Sequence, residues 1–526
     1  MHRKQASALL IMLLTALFIT GATAKSFNER SESWLEVTDN GQSGISINID
    51  FTTDEINQIG SIPDYSTLTQ TDSGIEIPMI SRLIALPPGH RAEVRVVNRQ
   101  STLHKAGDTR ANLTGTGISK QDLSSLRLDP PMPVIAGSVG SIRGVSVTSV
   151  SFYPYQYNEE KDEIIENISF EAEVTFVRDN NIQVTRPVRD LPGSDMSRML
   201  DRILLNKPHR DPYSEVQADH RGRILILHQD NDDFGENEQL WVDSLANWKR
   251  QMGYSVEILA VNVNVQEGGL TGLEVRNQIV RERYINQEDP LSYLIIIGAD
   301  SVQQRLWFPT VTDDVSGDHL YSVMVDENPD DIYLSDIGVG RYHCYDFSEL
   351  RGAILRSILY EREPYLDRGD EWFTSALVHA ENIAVPGGGF VPSMIHLGRW
   401  EFVKLTRAGY SVDTLWVPDE DIDADDETRR LLEDGRSFVS SRGWLEACFD
   451  VTGDDPILAF VGRKNPFVLA ITCLSTPTQS RFFRSATQNT INGSINAISL
   501  DNLSHSKVNN SFIGGALRSF LDYGLL

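Results

Sequence analysis

Two stretches decide the fold: Gly435-Arg-Ser-Phe-Val-Ser-Ser-Arg-Gly443 and Pro466-Phe-Val-Leu-Ala-Ile-Thr-Cys473. Each holds a short apolar run that ends in a chemically distinctive residue. Such runs are expected of strands buried on both faces, which is the habit of parallel sheets covered by helices. In open parallel sheets, functional groups gather at the carboxyl ends of strands. Two neighbouring strands joined by a crossover would bring Arg442-Gly443 and Cys473, 31 positions apart, to one rim.

The same alternation extends outward on both sides. Arg223-Ile-Leu-Ile-Leu227, Val256 to Leu259 and Tyr293-Leu-Ile-Ile-Ile297 read as buried strands. Helical stripes separate them, with Trp241, Leu245, Trp248 and Met252 on one stripe and further helices near Leu273 to Tyr284 and Ser348 to Glu363. A second set begins at Ser375-Ala-Leu-Val378, where His379 closes the strand, and continues through a helix over Ser393 to Ala408 and a strand over Val412 to Trp416.

Upstream the period changes. Ile45-Ser-Ile-Asn-Ile-Asp-Phe51, Ala92 to Val97, Val145 to Tyr153 and Ile168 to Val177 alternate or are rich in β-branched residues. They predict an all-β, sandwich-like module. The expected organisation is a processing segment over 1–24, a β-rich module over 25–180, an Arg- and Pro-rich linker over 181–221, and an α/β domain over 222–526. That domain divides into subdomains over 222–365 and 366–526.

The chain has 526 residues and a formal charge of −27. Clustered Lys and Arg are needed to follow a phosphate backbone, so nucleic acid is not an expected partner. His2, Arg3 and Lys4, the apolar run Leu9 to Ile19 and the small residues Ala22-Thr23-Ala24 make a secretory signal. The expected product is exported, with no membrane insertion. Only Cys344, Cys448 and Cys473 are present. An odd count leaves at least one thiol free or paired between chains. Cys473 is then a nucleophile, an inert buried thiol, or a partner of Cys448.

The ordered pieces Tyr293-Leu-Ile-Ile-Ile-Gly298, Asp318-His-Leu-Tyr321, Ser335-Asp-Ile-Gly-Val-Gly-Arg341, Tyr360-Glu-Arg-Glu363 and the two opening stretches resemble the gingipain family of cysteine peptidases. Ala85-Leu-Pro-Pro-Gly89 and the strand from Phe170 to Val177 resemble that family's prodomain. The resemblance implies a caspase-like α/β fold, a parallel sheet flanked by helices in two subdomains, preceded by an all-β prodomain. It implies a secreted zymogen that cuts protein or peptide substrates and has its own prodomain as a partner.

Residue by residue, the resemblance makes Cys473 the nucleophile, Asp336 the orienting carboxylate and Gly443 an oxyanion-binding N–H. The family's His position holds Arg442. A guanidinium cannot accept the thiol proton, although it favours a thiolate. A catalytically inactive binding or structural homologue is therefore the competing reading, and His379 is the alternative base. No cofactor is required. The family's calcium binding points to Asp326, Asn328 and Asp330 as oxygen ligands of a structural ion; a solvated acidic loop is the alternative. Asp346 is either a pocket acid or a helix N-cap. The family domain continues past the point where this chain stops.

Overall fold

A computed structural model describes residues 34–52, 67–70, 76–105, 128–182, 190, 192–207, 218–285, 288–311, 317–324, 334–365, 371–381, 393–417, 424–443, 463–471, 494–498 and 506–521. Asp326, Asn328, Asp330, Cys448, Cys473 and the signal segment lie outside the described residues.

The amino-terminal part is built from strands β1 (Leu35–Asp39), β2 (Gly44–Asp50), β3 (Thr67–Gln70), β4 (Glu76–Ala85), β5 (His90–Lys105), β6 (Val134–Ile142), β7 (Val145–Phe152), β8 (Tyr155–Asn158) and β9 (Glu163–Arg178). They form two antiparallel sheets, ordered β1-β2-β9-β5, with β8 beside β9, and β3-β4-β7-β6. Alternation sets the inner face: Ile45, Ile47 and Ile49 of β2 are buried with Phe170, Ala172 and Val174 of β9. Trp34 closes this core edge-on to Phe152, with ring centroids 5.9 Å apart.

The segment expected to be an open linker contains a helix, α1 (Asp195–Ile203), capped by Ser194, whose side chain accepts from the Ser197 N–H. Its Leu200 packs with Leu204, Ala85, Ile142 and Val147. The polar composition hid this helix, because only one narrow stripe of it is apolar.

The α/β part has two parallel sheets. The first, ordered β11-β10-β12-β13, uses β10 (Arg223–Gln229), β11 (Ser255–Val261), β12 (Leu291–Ile297) and β13 (Gly338–Tyr342). Helices α2 (Glu236–Gln251) and α3 (Phe347–Arg362) cover one face through Val242, Leu245, Leu350 and Ile354. The helix expected near Leu273 to Tyr284 is present, with α-helical turns Gly272–Val275 and Glu282–Ile285 on either side of a π-helical stretch, Arg276–Val280.

The second sheet, ordered β15-β14-β16-β17-β18, uses β14 (Ser375–Glu381), β15 (Ser411–Val417), β16 (Phe438–Arg442), β17 (Phe467–Ala470) and β18 (Asn496–Ile498), all parallel. Helix α4 (Ser393–Arg407) packs on it through Leu397 and Trp400, α5 (Ala424–Asp434) precedes β16, and α6 (Ser506–Leu521) packs through Ile513 and Leu517. Phe438, Phe467 and Phe520 stack with centroids 5.8 and 5.9 Å apart and planes within 9°. They tie β16, β17 and α6 together. Burying one such ring contributes about 1.5–3 kcal/mol. The same apolar cluster continues into the β sandwich, so the two parts share a core. Among the described residues no helix is long and apolar enough to cross a membrane.

Candidate active site

Strands β16 and β17 are adjacent and parallel, with Ser441 opposite Ala470. Their carboxyl ends therefore share one rim. Arg442 ends β16, and its Nη1 donates to the carbonyl oxygen of Ile471 at 3.1 Å. Ile471 is two positions before Cys473 in the chain. Arg442 is only 3% exposed. It does not extend into solvent but lies under the rim, tying the ends of the two strands together.

The period of the strand explains this burial. Ser440 and Arg442 point to the face covered by α4. There Glu401, on α4 and also buried, shares a hydrogen bond with the Ser440 side chain. Burial pushes the Glu401 carboxyl up to about 7, and the Ser440 bond and the Arg442 charge only partly oppose it. An acid that is half protonated near neutrality beside the rim was missed by the sequence reading. Its only signal was a lone Glu on the apolar stripe between Trp400 and Leu405.

The opposite face carries His379, Ser441, Glu381 and Gly443. His379 pairs in register with Ser441, and its Nδ1 is 3.5 Å from the Ser441 hydroxyl. It is 1% exposed, and burial drives its pKa down to about 4. The ring is neutral at neutral pH and a poor proton acceptor. It sits within the sheet, two residues short of the end of β14. That strand does not close at His379; it runs on to Glu381.

Glu381 is the rim carboxylate. A Cβ added at Gly443 would lie 2.5 Å from the Glu381 Cβ and 2.7 Å from its Oε2. Gly443 also has φ +152°, a conformation that residues with a Cβ rarely adopt. The close approach of Glu381 and the backbone shape both require glycine here. Continuing the β14 alternation two residues past His379 would have found Glu381.

Asp336 lies elsewhere. It precedes β13 and sits at the amino end of the first sheet, the end opposite a carboxyl rim. Its carboxylate accepts from the backbone N–H groups of Arg143 at 2.7 Å and Met324 at 2.8 Å, and from the Tyr284 hydroxyl at 3.2 Å. Burial raises its pKa, and these bonds pull it back. The structure gives Asp336 a partner in the β sandwich instead of the rim. Arg143 is the tip of the β6–β7 hairpin. Its guanidinium meets Asp190 at 2.5 and 2.7 Å and the carbonyls of Leu291 and Asp336 at 3.0 and 2.7 Å. Asp336 precedes β13 in the chain, so it stands at the start of that strand, where it meets the hairpin tip and not the carboxyl rim of β16.

Asp346 is a helix cap: its side chain accepts from the N–H groups of Ser348 and Glu349 at the start of α3. Cys344 is a free thiol, fully buried, and burial raises its pKa, so it is inert. Among the described residues no group of three or more His, Cys, Asp or Glu side chains is gathered for a metal ion.

The rim thus combines a strand-end Arg–Gly pair, a carboxylate above it and the chain that leads to a cysteine. The family model for peptidase family C25 matches residues 218–524. The chain belongs to that family of peptidases. Among its relatives are Gingipain R1 of Porphyromonas gingivalis, 20% identical over 273 residues, and Gingipain R2 of the same organism, 22% identical over 276 residues. Each match covers 51% of this chain, and 25% and 34% respectively of the relative. The chain thus spans a quarter to a third of these relatives' length. Among solved structures, the Arg specific cysteine proteinase gingipain R has a TM-score of 0.46 at 17% identity, over 59% of this chain and 69% of that one. The complex of the Porphyromonas gingivalis RgpB pro- and mature domains has a TM-score of 0.44 at 16% identity, over 58% and 76%.

Proposed function

We propose that this protein is an exported cysteine endopeptidase of low turnover, in which Cys473 attacks the peptide carbonyl. The Arg442 bond to Ile471 carries the reading, because it sets a permanent positive charge beside the segment that leads to Cys473. A fixed cation lowers the pKa of a nearby thiol and supplies the nucleophilic thiolate without a base. The Gly443 N–H is a donor for the developing oxyanion. Glu381 is the group that can carry a proton to the departing amine. Guanidinium cannot do that, so proton delivery falls to Glu381 alone with no imidazole to share it, which keeps the turnover low.

The β sandwich is the prodomain in this reading. It holds the α/β part through Arg143, and cutting within 181–221 frees it. Asp326, Asn328 and Asp330 remain the proposed ligands of a structural calcium ion. The competing reading is a scaffold without catalysis, and the burial of Arg442 favours it. A peptidyl probe that alkylates thiols, applied before and after limited proteolysis, separates the two. Labelling at Cys473 together with peptide hydrolysis lost in Cys473→Ala supports the enzyme. Hydrolysis unchanged in Cys473→Ala, or none detected in nicked protein, rejects it.

A further inference from the structure

Helix α4 carries one carboxyl into an apolar layer. It crosses from β14 to β15, which are parallel, so it runs antiparallel to the strands it covers. A Cβ added at Gly398 would meet the Trp416 ring at 2.6 Å and the Ala380 Cβ at 3.2 Å. Ala380 pairs in register with Arg442. Gly398 therefore stands over the level of Arg442. Glu401 is three residues on, on the same face of the helix and about 4.5 Å nearer the amino end of the sheet. That approaches the level of Ser440, two positions before Arg442, and Ser440 is the residue that bonds the carboxyl.

Glu401 is 1% exposed, and its Oε2 has no hydrogen-bond partner. A buried carboxyl left half satisfied costs stability that Leu or Met at this place would not. On the sheet face that α4 covers, β14, β15 and β17 bring Val378, Ala380, Thr414, Trp416 and Leu469, none of them titratable. Strand β16 brings Ser440 and Arg442. Helix α6, packed beside α4, brings Ile513 and Leu517. On α4 itself, the Lys404 ammonium lies over the Trp400 ring, 5.9 Å from its centroid. Among these described groups, Arg442 is the charge that acts on Glu401, and it favours the anion. The coupling is reciprocal: an anion at Glu401 weakens the positive field of Arg442 at the rim.

We infer that Glu401 is a positioning residue for the rim thiol: neutral, it leaves the Arg442 charge to draw the proton off Cys473; ionised, it opposes that charge. Carboxyl and thiol then lose their protons over overlapping pH ranges, and each loss makes the other harder. The inference rests on the thiolate chemistry proposed for Cys473. To that chemistry it adds the group that sets the pH at which the thiolate forms.

The full chain, nicked by limited proteolysis, is the sample. Alkylation of Cys473 by iodoacetamide is followed against pH in wild type, Glu401→Gln and Ser440→Ala, with the modified peptide read by mass spectrometry. In wild type the curve should be broader than a one-proton titration. Glu401→Gln keeps the shape of the side chain but never ionises. Its curve should sharpen to one proton, and its midpoint should fall by about half a unit or more, a roughly threefold faster reaction below the midpoint. Ser440→Ala removes the bond that favours the anion, so it should move the midpoint the same way by less. A purely structural role for Glu401 changes the rate at every pH and leaves the midpoint in place. A wild-type midpoint below the usual cysteine value that neither folded variant moves would overturn this inference alone. If Glu401→Gln does not fold, an unmoved midpoint in Ser440→Ala has the same force. A Cys473 that stays unreactive in every sample would overturn the peptidase reading and this inference with it.

Discussion

Arg442 Nη1 lies 3.1 Å from the carbonyl oxygen of Ile471, so Arg442 is a buried tie between two strand ends. An imidazole at the same place would exchange a permanent charge for a group able to take and return a proton. Arg442→His is therefore expected to raise peptide hydrolysis on the order of 10²-fold, the low end for a positioned acid–base group. Steady-state cleavage of a peptide library by nicked protein checks it.

Gly443 has no room for a side chain. Gly443→Ala places a methyl group 2.5 Å from the Glu381 Cβ at a φ of +152°. The expected loss is about 1–3 kcal/mol of stability. Urea unfolding of the single variants and of the pair Gly443→Ala with Glu381→Gly measures the coupling. The pair should recover part of the loss, because only the clash is removed.

Glu401 gives the protein a pH signature. Its folded pKa of about 7 lies above the unfolded carboxylate value, so the folded state holds the proton more tightly. This contribution is fully present below the unfolded pKa, is lost as pH rises towards 7, and is flat above that. The span is on the order of 3 kcal/mol. Glu401→Gln should remove the slope, seen as a wild-type minus variant stability difference that changes across that window. A difference independent of pH would contradict the buried carboxyl.

The β6–β7 hairpin is a second tie, between the sandwich and the first α/β sheet. The Arg143 side chain is fully buried and that of Asp190 is 7% exposed. Arg143→Met leaves buried carboxylates without their cation and should cost about 3–5 kcal/mol. A change in unfolding free energy within about 0.5 kcal/mol, the scatter of surface substitutions, would show that the hairpin carries no such load.

The apolar strands of both parallel sheets were legible in the sequence, because strands buried on two faces leave continuous runs such as Leu294 to Ile297. The adjacency of β16 and β17 followed from the short crossover between them. Asp336 and Glu381 show where that reading stops. Both are carboxylates beside strands, and linear sequence does not say at which end of a sheet a loop residue falls. The resemblance favoured Asp336, and the polar end of β14 was cut short at His379. Helix α1 and Glu401 were hidden for a related reason: each is a small polar or apolar minority whose burial depends on contacts from another segment.

The most direct measurement is the rate of Cys473 alkylation by a neutral haloacetamide against pH, in wild type and in Arg442→Gln. A charge beside the thiol predicts an alkylation midpoint below the usual cysteine value in wild type and a shift upward by about one unit or more in the variant. Identical midpoints in the two proteins, or a Cys473 that never reacts in nicked protein, would contradict it.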